Sequence, residues 1–189
     1  MAGVFIDAKI RADELDSSRM LLDQGFRKIC TQVELHHCLS GPTRASSLVL
    51  IRNQLKLSSD QVLRHAANFE TNRFRLDPLV QRSIADALYA EWIRNSLSGA
   101  KRVAHIGENF CTFSDGNSTR SIDLLSVLEK RRGFARCILE AVLSEACDGG
   151  LNLVRVVTEA ENTAALAVYR RVGFEIDRFI SVFHLYRPT

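Results

Sequence analysis

"ENTAALAVYRRVGFE", residues 161–175, is a short helix with an unusual load. Asn162 stands where an N-cap is needed, and its side-chain oxygen can take a first-turn N–H. Ala164 and Ala165 leave the first turn flat. Tyr169 follows Asn162 by seven residues, so the two share one helix face. Gly173-Phe174 ends the element with a C-terminal glycine stop. A helix that only fills a core needs apolar spacing alone. Here a cap, a small-residue patch and a phenol lie on one side, where a ligand chain can pass close to the backbone. A neutral phenol, with an ordinary pKa of about 10, can donate a proton to a departing group, a service worth roughly 10² to 10⁴ in rate. The alternative is a core tyrosine with a satisfied hydroxyl, and the helix by itself leaves both readings open.

Upstream, "LNLVRVVTE" (151–159) reads as a β-rich strand feeding this helix, and "FEIDRFISVFHLYR" (174–187) as the strand that leaves it. Before them, "FARCILEAVLSEA" (134–146) has apolar residues at i, i+4 steps and is stopped by Asp148-Gly149-Gly150. "KRVAHIGENFCTF" (101–113) and "TRSIDLLSVL" (119–128) read as two strands joined by the turn "SDGNS". Strand and helix alternate from there on, which predicts an α/β domain with a mixed sheet. The junction "LLSVLEKRRGFARCI" (124–138) carries the strongest chemical signal. A strand runs into a basic turn, and Gly133 opens directly into a helix. Unpaired N–H groups and the dipole at a helix start attract an anion, and Gly133 permits close backbone approach. Lys130, Arg131 and Arg132 add charge. The competing reading is a glycine turn with solvated cations.

The earlier part predicts a strand over 3–10, a helix over 13–24, a strand over 27–37, a linker over 38–46 and a strand over 47–54. Ser58, Ser59 and Asp60 cap a helix running to about Phe69. "TNRFRLDP" (71–78) has loop composition, and "SIADALYAEWIRNSL" (83–97) forms an amphipathic helix. The two ends of the chain resemble each other. "DSSRMLLDQGF" (16–26) lies over "AALAVYRRVGF" (164–174) at an offset of 148 residues, with Glu14 in place of Asn162 and Leu21 in place of Tyr169. A repeat that keeps its shape without those two polar groups points to a functional use for them in the second copy. Chance likeness of two helices ending in Gly-Phe is the alternative.

Bulk properties narrow the class. The chain has 189 residues and 46% hydrophobic content, enough for one substantial core. No stretch approaches the roughly 20 apolar residues of a membrane span, and the N-terminus lacks the pattern of a secretory signal. Five cysteines without a CxxC pair suggest reduced thiols in a cytoplasmic protein. A net charge of +3 suits an anionic small ligand. It does not suit nucleic acid, since no dense basic stripe with interleaved aromatics occurs. His36-His37-Cys38 lacks the further ligands that a metal site needs. Cys137 falls at core spacing and reads as a buried thiol rather than an acyl carrier.

Taken together, the two motif stretches resemble the GNAT acetyltransferase superfamily. Its pyrophosphate loop, (Q/R)-x-x-G-x-(G/A), is matched by Lys130-Arg131-Arg132-Gly133-Phe134-Ala135, with lysine at the first position. Its later motif, N-x-x-A-x-x-x-Y followed by GF, is matched by Asn162, Ala165, Tyr169, Gly173 and Phe174. The resemblance covers residues 45–187. It implies a GNAT acetyltransferase fold at 45–189, preceded by a small half-GNAT βαβ unit at 1–40. It implies acetyl-CoA as the acetyl donor. The coenzyme A pyrophosphate would meet the backbone of Arg131, Arg132, Gly133, Phe134, Ala135 and Arg136. The pantetheine arm would run along Leu125, Ser126 and Val127, past Asn162 and Ala165, and Tyr169 would act as general acid. A narrower resemblance, through "NRFRLDP", "LYAEWIRNSLSG" and both chain ends, is to the dTDP-fucosamine acetyltransferase type. It implies a nucleotide-linked amino deoxysugar as acceptor, and brings in Arg73, Arg75, Asp77, Tyr89 and Trp92 as acceptor-side candidates. Arg73, Arg75 and Asp77 read equally well as a solvated loop, and Trp92 as core. Two departures bear on the sugar: the chain starts almost at its first strand, and 101–123 is short for the two-strand hairpin. Another small amine or a protein amine is the alternative acceptor, and a CoA-binding module without acyl transfer is the alternative function. No metal and no membrane partner are implied. An exposed sheet edge in such a fold could pair in a homodimer.

Overall fold

In the computed structural model, which describes residues 3–41 and 47–188, one eight-stranded sheet runs the length of the molecule. The elements in chain order are β1 (Gly3–Arg11), α1 (Leu15–Asp23), β2 (Arg27–Cys38), β3 (Leu50–Arg52), α2 (Ser59–Asn68), α3 (Arg73–Leu76), α4 (Arg82–Asn95), β4 (Arg102–Ile106), β5 (Asn109–Asp115), β6 (Thr119–Ser126), α5 (Phe134–Asp148), β7 (Leu153–Glu159), α6 (Thr163–Arg171) and β8 (Glu175–Pro188). The strand order is β1-β8-β2-β7-β6-β5-β4-β3. Every neighbouring pair is antiparallel except β6 and β7. Parallel neighbours need a crossover, and α5 provides it.

Local chemistry explains most boundaries. Ser58 and Gln61 form a reciprocal capping box that starts α2. Asn162 accepts the Ala165 N–H at the start of α6. Three expectations change. Residues 101–113 form two strands, because Gly107 (φ 58°) lets Gly107-Glu108 turn the chain between Ile106 and Asn109. The segment 102–126 thus holds three strands and is not a shortened two-strand hairpin. Residues 71–78 are not all loop. The Asn72 side chain accepts the N–H groups of Phe74 and Arg75 and fixes the single turn α3. The 47–54 strand is confined to Leu50–Arg52. The predicted linker falls partly on residues 42–46, outside the described residues.

Adjacent residues on β4 and β5 face opposite sides of the sheet, as the pleat requires, and so build two cores. Ala104 and Cys111 join Ile138, Leu139, Val142, Leu143 and Tyr169 beneath α5 and α6. Val103 and Phe110 join Val62, Ala66, Tyr89 and Ile93 beneath α2 and α4. Arg120 is fully buried, yet its charge is met by Asp115, Glu145, the Val142 carbonyl and the face of Phe113. Among the described residues no helix is long and apolar enough to cross a membrane.

The similarity of the two chain ends extends to hydrogen bonding. α1 and α6 lie 148 residues apart at both limits. Gly25 and Gly173 hold φ of 86° and 88°. In the β2–β8 ladder, Cys30 pairs with Val182 and Glu34 with Arg178, and an exchange by 148 residues converts one pair into the other. The two bulges in that ladder, after Lys28 and after Glu34, exchange in the same way. So do the β1–β8 and β2–β7 ladders: Arg11 opposite Ile180 becomes Glu159 opposite Gln32. A pseudo-two-fold axis therefore passes between β2 and β8 at Gln32 and Ile180. As a result the N-terminal unit shares the sheet, with β2 held between β7 and β8.

Candidate active site

β6 and β7 pair from Thr119–Leu153 to Ile122–Val156 and no further. Beyond that point β6 stays bonded to β5 through Ser126, while β7 stays bonded to β2 through Glu159. The two strands are each anchored on the outside and part on the inside. Backbone groups of β6 that face β7 past Ile122 therefore have no strand partner, and can accept an extended ligand chain as a strand would.

The parted end of β6 is fixed from above. Ser126 is fully buried, with its hydroxyl 2.8 Å from His65 Nδ1 and 3.4 Å from Asn68 Nδ2. Asn68 also donates to the Val127 carbonyl at 3.3 Å. The Ser126 side chain is thus engaged with α2, whereas Leu125 and Val127 are half-buried on the opposite face against the α5–α6 core. The Asn109 side chain accepts the Leu128 N–H at 2.9 Å and sets the exit of the strand.

The loop that follows is built to present N–H groups. Arg131 takes φ 63° and Gly133 φ 80°, both left-handed, within three residues. Gly133 is the N-cap of α5 and brings no side chain to the first turn. The hydrogen bond that closes the first turn runs from Cys137 N to the Gly133 carbonyl. Phe134, Ala135 and Arg136 precede it, so their N–H groups have no carbonyl one turn back. A Cβ placed on Gly133 would meet nothing within 4 Å, so the mouth is open. The cations are partly paired: Arg132 with Glu129, and Arg136 with Glu140 at 2.6 Å. Arg131, Arg132 and Arg136 are exposed, and Phe134 and Ala135 half-buried. The spacing, open mouth and charge fit a pyrophosphate.

Tyr169 lies below the parting of the strands, 4% exposed, in a tilted ring contact with Phe174. Among the described residues no hydrogen bond holds its hydroxyl. Burial, then the neighbouring Cys111 and Glu159, push its pKa far above the ordinary value, so it stays a protonated phenol at any working pH. Asn162 also donates to Thr158 Oγ1 at 3.2 Å, tying the start of α6 to the end of β7. Ala165 stays half-buried and small at that helix start.

The acceptor-side candidates divide. Tyr89 is buried on the α2–α4 face and packs on Phe69 and Trp92. Trp92 is 36% exposed, at the rim rather than in the core. Arg73 pairs with Asp7 at 3.0 Å and lies within electrostatic reach of Tyr89, Cys30 and Lys9. Arg75 is instead clamped on Asp86. Asp77 is fully engaged: it accepts from Arg27, His184 and the Leu79 N–H at 2.8, 2.7 and 2.9 Å. Burial alone would raise the Asp77 carboxyl, but these donors outweigh it and hold it below the usual carboxylate range. Two residues escaped the sequence reading. Glu159 closes β7 and Gln32 faces it, and no motif marks either. Only the ladder brings them together across the repeat. Cys137 is half-buried at the rim of α5, and His37 packs on Gly173 and Phe174. Among the described residues no cluster of three metal-ligating side chains occurs.

No family model matches the chain. A curated relative, the spore coat polysaccharide biosynthesis protein SpsD of Bacillus subtilis (strain 168), is 25% identical over 128 residues. That match covers 63% of this chain and 44% of SpsD, so the chain spans under half the length of that relative. Among solved structures, a GCN5-related N-acetyltransferase from Sphaerobacter thermophilus superposes with a TM-score of 0.64 at 16% identity, over 99% of this chain and 61% of that one. A tandem GNAT protein from the clavulanic acid biosynthesis pathway superposes with a TM-score of 0.57 at 14% identity, over 98% of this chain and 65% of that one. At these identities the likeness speaks for architecture: the chain has the mixed α/β fold of the GNAT N-acetyltransferases.

Proposed function

We propose that the protein is an N-acetyltransferase that moves an acetyl group from acetyl-CoA to a primary amine. The observation that carries this reading is the conjunction at one end of the sheet. β6 and β7 part, an uncapped helix start with two left-handed loop residues lies at one side, and a buried phenol with an unheld hydroxyl lies below. Acetyl-CoA bound there supplies an activated thioester. The N–H groups of Phe134, Ala135 and Arg136 hold its diphosphate, and the inner edge of β6 from Leu125 to Val127 aligns its pantetheine arm. The amine nitrogen bonds to the acetyl carbon, the carbon–sulfur bond breaks, Tyr169 gives its proton to the leaving thiolate, and the nitrogen sheds a proton that ends in solvent, from which Tyr169 is reprotonated. Burial keeps the Tyr169 phenol protonated, so that it has a proton to give.

The acceptor we favour is the amine of a nucleotide-linked amino deoxysugar. The sequence similarity to a polysaccharide biosynthesis protein supports a sugar. The cations Lys9 and Arg73 at the acceptor side suit a diphosphate linkage. The test is a coupled thiol assay with acetyl-CoA and thymidine- and uridine-diphosphate amino sugars. CoA release that depends on the amine supports the reading. Tight acetyl-CoA binding with no release for any amine would replace it with a binding module.

A further inference from the structure

The pair Gln32–Glu159 is not used by any part of the site described above, and it has an unusual surplus of acceptors. Gln32 is 4% exposed and Glu159 8%. Gln32 Nε2 donates to Glu159 Oε1 at 3.1 Å, which fixes the orientation of the amide. The Gln32 oxygen is then left buried with no donor. Glu159 Oε2 receives no hydrogen bond from any described residue. Among the described residues, one fully buried oxygen thus awaits an N–H group, and the second Glu159 oxygen beside it is free to accept one. Unmet acceptors of this kind cost stability unless something fills them.

Their place is as telling as their chemistry. Glu159 is the last residue of β7, past the point where β6 and β7 part. Val154 and Val156 point into the α5–α6 core, so Glu159, at odd spacing from them, points to the α2–α4 face. Its charge acts on Tyr89 from α4, on Lys9 from β1, on Cys30 from β2, and through the parting on Tyr169 from α6. Glu161 and Arg73 complete the charges around Cys30. The carboxylate therefore lies between the phenol on one face and the acceptor-side residues on the other.

We propose that Glu159 takes the proton from the acceptor amine, while the Gln32 amide oxygen receives an N–H and steers that amine toward the thioester. The assignment rests on the acetyltransferase reading and names its missing base. The balance is complete: as the carbon–nitrogen bond forms, the amine proton passes to Glu159 Oε2. As the carbon–sulfur bond breaks, the Tyr169 proton passes to sulfur. Proton return from Glu159 to Tyr169 through solvent restores both.

The test compares wild type, Glu159→Gln and Gln32→Leu. Acetyl-CoA binding is followed by calorimetry, and transfer to thymidine- and uridine-diphosphate amino sugars and ethanolamine is followed from pH 5 to 9. Glu159→Gln keeps the acceptor that Gln32 binds, and is expected to bind acetyl-CoA as wild type does. Its kcat/KM should fall about a hundredfold. Gln32→Leu should raise KM and change kcat less. Glu159→Asp serves if Glu159→Gln folds poorly by circular dichroism, with an intermediate rate. A Glu159→Gln rate equal to wild type overturns the proposal. So does a wild type that binds acetyl-CoA yet acetylates no amine of the panel. Loss of acetyl-CoA binding in the wild type itself is a separate result, and defeats the acetyltransferase reading beneath it.

Discussion

At the scale of single residues, groups that do chemistry stand apart from groups that hold the chain. Tyr169→Phe removes one oxygen that no described residue holds by a hydrogen bond. It should leave acetyl-CoA affinity and thermal stability near wild type while lowering kcat by roughly 10² to 10⁴, as read by steady-state kinetics beside calorimetry. Asp77 is the opposite case. Its carboxylate is buried and meets Arg27 and His184. Asp77→Ala leaves the Arg27 guanidinium and the buried His184 ring without their acceptor and should cost about 3 kcal/mol in urea unfolding. The pH dependence has a definite sign. A carboxyl held below its unfolded value of about 3.9 contributes stability above that pH, and the contribution is lost as pH falls through the folded value. Asp77→Asn should therefore flatten the acid side of the stability profile. The sequence marked Asp77 as a loop residue before proline and an acceptor-side candidate, and its structural partners were hidden because they stand 50 and 107 positions away.

At the scale of elements, what the sequence made legible follows from how local the cause is. The caps at Ser58 and Asn162, and the glycine stops at Gly25 and Gly173, act within one turn, so those helices fall where their residues predict. The β6–α5 junction was legible for the same reason, since Gly133 and the following N–H groups form a local device. The split of 101–113 was hidden because Gly107-Glu108 is a weak turn signal set between two apolar runs. α3 was hidden because a single Asn72 cap decides it. The Gln32–Glu159 pair was beyond any local reading, being separated by 127 residues. The junction carries its own prediction. Gly133→Asp places a Cβ at φ 80° and a negative charge at the anion mouth. A left-handed non-glycine residue costs roughly 1 to 2 kcal/mol, so thermal unfolding should shift down modestly while acetyl-CoA binding is lost. Equal loss of folding and binding would argue that the glycine is structural only.

At the scale of the whole molecule, the pseudo-two-fold governs the design. We propose that the N-terminal βαβ unit is a partial copy of the β7–α6–β8 unit, one that keeps the frame and lacks the chemistry. α1 buries no residue, whereas α6 buries Tyr169. The copy still does structural work, because β2 fills the slot between β7 and β8 and supplies Gln32. A fragment beginning at residue 45 would leave the inner edges of β7 and β8 unpaired. It should lack a cooperative thermal transition by circular dichroism, while a fragment that folds and binds acetyl-CoA would show the first unit to be dispensable.

The measurement that bears most directly on the central claim is calorimetric titration of acetyl-CoA into the wild-type protein, beside the double variant Arg132→Glu, Gly133→Asp. Saturable binding is expected, with one site per chain and micromolar affinity, abolished in the variant. Absence of binding to the wild type, or equal binding to the variant, would contradict it: the parted strands and the α5 terminus would then be features of the fold alone.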